Sequence, residues 1–403
     1  MDAKHSQGQP RLLINRQALL HNASLLRRAI GSHVRICAIV KADAYGHGVD
    51  DVVDTLTNFS TDHAEAPMVD ALAVASIDEA DALPESKLPV LIFRPTENVF
   101  LGRERESIER AILAGWTLTV CTPSSATDVA RVAMNLNKRA LIQVMLDTGM
   151  NRSGVRCDRF DELVEAILRQ PALKLVGLST HFAGSEVCDN ACTSEQLNRF
   201  HAITDGFVDA QQLAGRSITR HVANSGGIFH ARASHLDMVR PGISLYGIDP
   251  TGRPSLDRPL RPVMKWTAPL VGINELKSGE GVGYNGTWSA PRDSRIGLVP
   301  VGYADGYNRC FSNKSVMMVQ GKPAPVVGRV SMDLTTIDLT DHPHAIVGDE
   351  VTVLDDDPLS PSSVYALARL ADTIPYEIFC RIGPRIKRVA VEPLSRAMNI
   401  ASA

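Results

Sequence analysis

Several residues able to do chemistry stand where apolar runs of this chain stop. Lys41 lies in the string Ala38-Ile39-Val40-Lys41-Ala42-Asp43-Ala44-Tyr45-Gly46-His47-Gly48, directly after the apolar run Val34 to Val40. A lysine at the end of such a run can be partly desolvated, which favours the neutral amine, a Schiff-base nucleophile. Four residues on, Tyr45 could offer its hydroxyl to a phosphate. Arg152, in Asp147-Thr148-Gly149-Met150-Asn151-Arg152-Ser153-Gly154, carries a planar fork matched to a carboxylate. His181, in Thr180-His181-Phe182-Ala183, belongs to a residue type that serves as a hydrogen-bonded structural group as often as a proton carrier. Arg240 holds its charge at any working pH, so it can only donate hydrogen bonds. The small residues of Ala223-Asn224-Ser225-Gly226-Gly227 and Pro241-Gly242-Ile243-Ser244 would let backbone N–H groups approach a phosphate.

The elements that must position these groups are legible as alternating patterns. Strand-like runs fall at residues 34–40, 71–75, 88–93, 117–120, 140–147, 175–181, 218–224 and 236–240, separated by helical stretches such as 161–169 and 194–213. Eight parallel βα units in some 240 residues fit a (β/α)8 TIM barrel. A strand count alone does not separate a barrel from a doubly wound sheet. The placement of Lys41, Arg152, His181, Ser225 and Arg240 at or just past strand ends favours the barrel, whose active sites are built on that face.

After Gly247 the texture changes. A proline-rich stretch, about 248–262, reads as a linker, and beyond it short β-rich runs at 266–275, 295–301, 315–319, 323–337 and 350–354 replace helical periodicity. The expected organisation is α/β: a barrel over 11–250 and a predominantly β domain over 260–390, with one late helix near 362–370.

Composition narrows the function. The chain has 403 residues, with 42 basic against 45 acidic, and this near-neutral balance argues against nucleic acid as a partner. The polar first ten residues lack the apolar stretch of a signal peptide, and no apolar run is long enough to span a bilayer, so no membrane association and a cytoplasmic location are expected. Seven cysteines, scattered without a Cys-x-x-Cys pair, indicate neither a disulfide framework nor a metal site; Cys188 and Cys192 read as free thiols.

Taken together, these strings resemble the motifs of the alanine racemase family from about Leu12 to Arg388, at least seven of them in order. The resemblance implies that Lys41 carries pyridoxal 5'-phosphate (PLP). It implies that Tyr45, Ser225, Gly242, Ile243 and Tyr376 hold the phosphate, and that His181 lies beside the ring, hydrogen-bonded toward Arg240. Arg240 would face the pyridine nitrogen, where it leaves that nitrogen unprotonated. Arg152 and the backbone N–H of Met332 would hold the substrate carboxylate, with Tyr303, Arg309, Arg329 and Glu186 at the entrance. Gly281-Val282-Gly283-Tyr284-Asn285-Gly286-Thr287 resembles the string bearing the second catalytic base, so Lys41 and Tyr284 would serve opposite faces of the substrate. The family arrangement implies a homodimer in which Tyr284 completes the partner's site, and a role supplying D-alanine for peptidoglycan. One position departs from the pattern: Met145 stands where many members carry a carbamylated lysine that orients the arginine, so either another group such as nearby Gln143 or a bound anion steadies Arg152, or substrate binding is weaker and looser than usual.

Other readings are a fold-related PLP amino-acid decarboxylase, a racemase of broader specificity and a non-catalytic PLP-binding protein. The decarboxylases favour an acidic partner for the pyridine nitrogen where this chain offers Arg240. Cofactor-storing proteins are usually a lone barrel.

Overall fold

The computed structural model describes residues 8–58, 68–96 and 103–392. They divide into two compact units, one of residues 22–44 and 52–245, the other of residues 8–21, 45–51 and 246–392.

The first unit is built on eight parallel strands: Arg35–Ile39, Ala71–Val74, Val90–Pro95, Thr117–Val120, Ala140–Asp147, Leu173–Ser179, Thr219–His221 and Met238–Val239. Each pairs with the next in the order given as far as Thr219–His221, and Met238–Val239 pairs with Arg35–Ile39. Hydrogen bonds from Asp237 N to Arg220 O (3.2 Å) and from Arg240 N to Ala223 O (2.8 Å) tie the eighth strand to the seventh and close the barrel. Strands such as Ala71–Val74 and Thr117–Val120 are buried at every residue, as expected where helices cover one face and barrel interior the other. The covering helices bury one stripe each. Phe160–Leu168 turns Phe160, Leu163, Val164 and Ile167 inward at helical spacing. The expected helix 194–213 begins three residues earlier, as Ala191–Leu213, because the Asn190 side chain accepts the Cys192 N–H and caps it.

The second unit holds a six-stranded sheet in the order Lys322–Pro325, Val316–Val319, Glu350–Leu354, Met264–Pro269, Arg11–Asn15, Lys387–Val391. Beside it are a three-stranded sheet (Gly272–Leu276, Ser294–Val299, Thr335–Asp338) and the ribbon Gly281–Val282 with Trp288–Ser289. Four expectations change here. Residues 11–15, inside the span expected for the barrel, pair instead with Met264–Pro269 and Lys387–Val391. Only Leu12 and Ile14 of that strand are fully buried, an alternation unlike the wholly buried barrel strands. The run 266–275 breaks after Pro269, where the chain leaves one sheet for the other, and the run 323–337 splits around Gly328 (φ +75°). A second late helix, Pro375–Cys380, follows Val364–Leu370 and starts on its proline.

The linker is pinned. The buried Asp249 carboxylate accepts from Arg258 Nε at 2.7 Å, and its N–H donates to the Tyr365 hydroxyl at 2.9 Å. Among the described residues no helix is long and apolar enough to cross a membrane.

Candidate active site

Lys41 follows Val40, whose N–H donates to Ala73 O at 2.9 Å, so it stands at the end of the first barrel strand, and it is exposed. The turn after it is left-handed. Ala42, Asp43, Ala44 and Tyr45 have φ between +52° and +55°, and Ala44 N donates to Val40 O at 2.9 Å. L-residues pay roughly 1–2 kcal/mol each for this hand, so the surroundings must hold it. The Glu79 carboxylate does part of this, accepting from Ala42 N (2.9 Å) and Ala75 N (2.6 Å). Gly46 closes the turn at φ +77°, where a Cβ would lie 2.5 Å from Phe379 O, and its carbonyl accepts from Arg388 Nε. The glycines of the string announced a turn; its hand comes from these contacts.

Tyr45 is buried by that turn. Its ring lies 4.9 Å from that of Tyr246 and 5.9 Å from that of Tyr376, so the two phosphate-holding tyrosines expected from distant parts of the chain meet. Burial, then the neighbouring Tyr376, pushes the Tyr45 phenol up and keeps its proton available for donation.

The barrel mouth gathers the remaining cofactor residues. Ser225 Oγ accepts from Gly242 N (3.0 Å) and Ser244 N (3.3 Å), joining the ends of the seventh and eighth strands, with Ile243 buried between them. Arg240 is buried; one terminal nitrogen donates to Thr180 O and, at 2.9 Å, to Val222 O, and its guanidinium lies 5.5 Å from the centre of the Phe93 ring. Its Nε is buried with no hydrogen-bond partner among the described residues. Burial lowers the Arg240 pKa to about 10, which still leaves it charged at neutral pH. Burial, and then the charges of Arg240, Arg152 and Lys41, push His181 down to about 3, so its imidazole is neutral. His181 therefore lies within electrostatic reach of three other expected site residues. The hydrogen bond expected from His181 toward Arg240 is not formed; Arg240 binds the carbonyl of the preceding residue instead.

The Arg152 loop is shaped by Asp147, whose Oδ1 accepts from Gly149 N and Asn151 N, both at 3.0 Å. Arg152 itself is exposed and makes no hydrogen bond among the described residues. Gln143 does not steady it. The Gln143 amide is buried and donates to Thr119 Oγ1 at 2.8 Å, and Met145 brings no charge.

In the second unit three expected strings come together. Tyr303 N donates to Ser331 O and Ala304 N to Met332 O, both at 3.0 Å, while a Cβ on Gly328 would stand 2.8 Å from Val282 O. Tyr284, Tyr303 and Met332 are 69%, 43% and 53% exposed. Among the residues that sequence reasoning missed are Thr148, Thr180 and Gln196, all buried and hydrogen-bonded behind His181 and the Arg152 loop. One pointer was available for Gln196, a polar residue in phase with Leu197 and Phe200 on the inner stripe of its helix.

Residues 14–250 match the family model "Alanine racemase, N-terminal domain" and residues 263–390 match "Alanine racemase, C-terminal domain". An alanine racemase of Chlorobaculum tepidum is 36% identical over 97% of this chain and 100% of its own length. One from Halothermothrix orenii is 36% identical over 93% of this chain and 95% of its own. Among solved structures, the alanine racemase of Clostridium difficile 630 superposes with a TM-score of 0.85 at 30% identity, covering 96% of each chain. That of Bartonella henselae, with covalently bound pyridoxal phosphate, does so at 0.80 and 26% identity over 95% of this chain and 100% of its own. With both halves matched and relatives aligned along nearly its whole length, the chain belongs to the alanine racemase family.

Proposed function

We propose that the protein is a PLP-dependent alanine racemase interconverting L- and D-alanine by a two-base route. The observation that carries this reading is the Arg240 Nε, a buried donor with no acceptor among the described residues. An orphaned N–H at the barrel mouth fits a neutral ring nitrogen, which can only accept. An acidic side chain, the partner decarboxylases favour, would fit a protonated one.

Lys41 would hold the cofactor, with Tyr45, Tyr376, Ser225 and the N–H groups of Gly242 and Ile243 on its phosphate and His181 and Arg240 about its ring. PLP, when bound, withdraws electrons from the substrate and makes its Cα proton acidic. Lys41 Nζ takes or returns that proton on one face and Tyr284 Oη on the other, so a proton lost to one base and regained from the other inverts the centre. Lys41 exchanges the proton of D-alanine, Tyr284 that of L-alanine. Arg152 and the Met332 N–H hold the carboxylate. Tyr284 serves the site of a second subunit in a homodimer, and the enzyme works in the cytoplasm, supplying D-alanine for peptidoglycan.

The test is incubation of PLP-loaded protein with L-alanine in deuterated water. D-alanine labelled at Cα supports the reading, whereas carbon dioxide release from ornithine, lysine or diaminopimelate, or bound PLP without Cα exchange, overturns it. Tyr284→Phe should abolish racemisation in both directions.

A further inference from the structure

Behind the mouth of the barrel a chain of buried polar groups runs in one direction. Thr180 Oγ1 donates its single hydrogen to Leu146 O at 2.8 Å. Its contact with Thr148 Oγ1, also 2.8 Å, must then use the Thr148 hydrogen. Thr148 Oγ1, its hydrogen spent, can only accept from Gln196 Nε2 at 3.4 Å. The second Nε2 hydrogen of Gln196 goes to His181 O at 3.0 Å, and Gln196 Oε1 accepts from Ala183 N at 2.9 Å. This pattern fixes the amide, since reversing it would set donor against donor at Ala183 and acceptor against acceptor at His181. Gln196, Thr148 and Thr180 are each 1% exposed, so no water replaces a lost partner. From the same helix Arg199 Nη1 donates to Thr148 O at 2.9 Å.

These contacts extend the pairing of two neighbouring strands, whose ladder runs as far as Met145 beside Ser179, to the groups just past their ends. Thr148 opens the loop that ends in Arg152, and His181 and Thr180 sit on the next strand end, where Thr180 O also receives Arg240. We infer that Gln196, acting through Thr148 and Thr180, is a positioning residue that fixes His181 and the Arg152 loop relative to each other. Its use in catalysis rests on the racemase reading above. The carboxylate-binding loop, more than the proton-transfer groups, depends on it, because Thr148 is the loop's only buried side-chain anchor to that helix among the contacts described.

Gln196→Glu keeps the shape and acceptor at Ala183 but leaves at most one donor, that of the protonated acid, so at least one of His181 O and Thr148 Oγ1 loses its partner. Loss of a buried donor of this kind predicts a fall in kcat/KM of about tenfold or more, chiefly as a raised KM for alanine. Thr148→Val should behave alike, Thr148→Ser should restore wild-type values, and the double variant should be no worse than the poorer single one. Amide hydrogen exchange of the PLP-loaded proteins gives a readout independent of turnover. Residues 147–154 and 180–184 should both exchange faster in Gln196→Glu and Thr148→Val but not in Thr148→Ser. A Gln196→Glu protein with unchanged KM and unchanged exchange at 147–154 overturns the inference. If that variant does not fold, equal behaviour of Thr148→Val and Thr148→Ser overturns it instead. Wild-type protein lacking racemase activity would defeat the functional reading alone, the exchange pattern still deciding whether Gln196 positions both segments.

Discussion

At the scale of single residues, the barrel mouth is set by what burial does to charge. His181 is held down to about 3 by desolvation and by three neighbouring cations, while in the unfolded chain it titrates near the ordinary 6.5. Between those values the unfolded state takes up a proton that the folded state refuses, so folding stability falls as pH drops from 6.5 toward 3. His181→Gln removes that linkage. Its melting temperature should therefore fall less than wild type's between pH 7 and pH 5, with a remainder from His221, which burial also pushes down. Cys37, wholly buried below the site, is driven up to about 12 by desolvation despite the pull of Arg240. Alkylation of native protein at pH 8 should accordingly modify the exposed Cys188 and Cys192 and spare Cys37, which mass spectrometry of the labelled peptides would check. Arg152 makes no hydrogen bond among the described residues, so Arg152→Lys should act mainly on substrate binding. Loss of the planar fork predicts a KM for alanine raised by about tenfold or more with a smaller change in kcat, measured by steady-state kinetics.

At the scale of elements, the left-handed turn after Lys41 shows a conformation that no single residue specifies. Four consecutive L-residues adopt it, none of them glycine, and only Gly46 at its end has the freedom the backbone asks for. Gly46→Ala would combine a positive φ with a Cβ 2.5 Å from Phe379 O. Left-handed strain and overpacking together predict a loss of about 2–4 kcal/mol, measurable by urea unfolding. The helix Ala191–Leu213 is the opposite case. Its existence follows from periodicity and its start from the Asn190 cap, yet its contribution to the site comes from Gln196, a polar residue in an otherwise core-facing phase. Periodicity says which face is inward and is silent on which strand ends that face will touch.

At the scale of the whole molecule, the proposed catalytic pair is divided between the two compact units, Lys41 in one and Tyr284 in the other, with Tyr284 largely exposed. A dimer in which each subunit lends its tyrosine to the other makes a specific prediction. Lys41→Ala and Tyr284→Phe proteins, each inactive alone, should regain activity when unfolded, mixed in equal amounts and refolded with PLP. Half the dimers would be mixed and each would hold one intact site, so recovery of about a quarter of wild-type activity is expected. No recovery in refolded mixtures that contain mixed dimers would place both bases in a single chain.

The sequence by itself determined the eight barrel strands, the change to β-rich texture near 250 and the ordered strings that carry Lys41, Arg152, His181, Ser225, Arg240 and Tyr284. These are written in periodicity, in turn residues and in local motifs, all of which act over a few neighbouring positions. Only the tertiary structure decided what depends on distant partners. Residues 11–15 join Lys387–Val391 because a short alternating strand takes whichever edge buries Leu12 and Ile14. Tyr45 meets Tyr376 across more than three hundred residues of chain, and the Lys41 turn takes its hand from Glu79, Phe379 and Arg388. Arg240 keeps a buried Nε without a partner among the described residues, and Gln196 gains its link to two strand ends, because hydrogen-bond satisfaction in a closed interior is settled by the whole set of groups enclosed there.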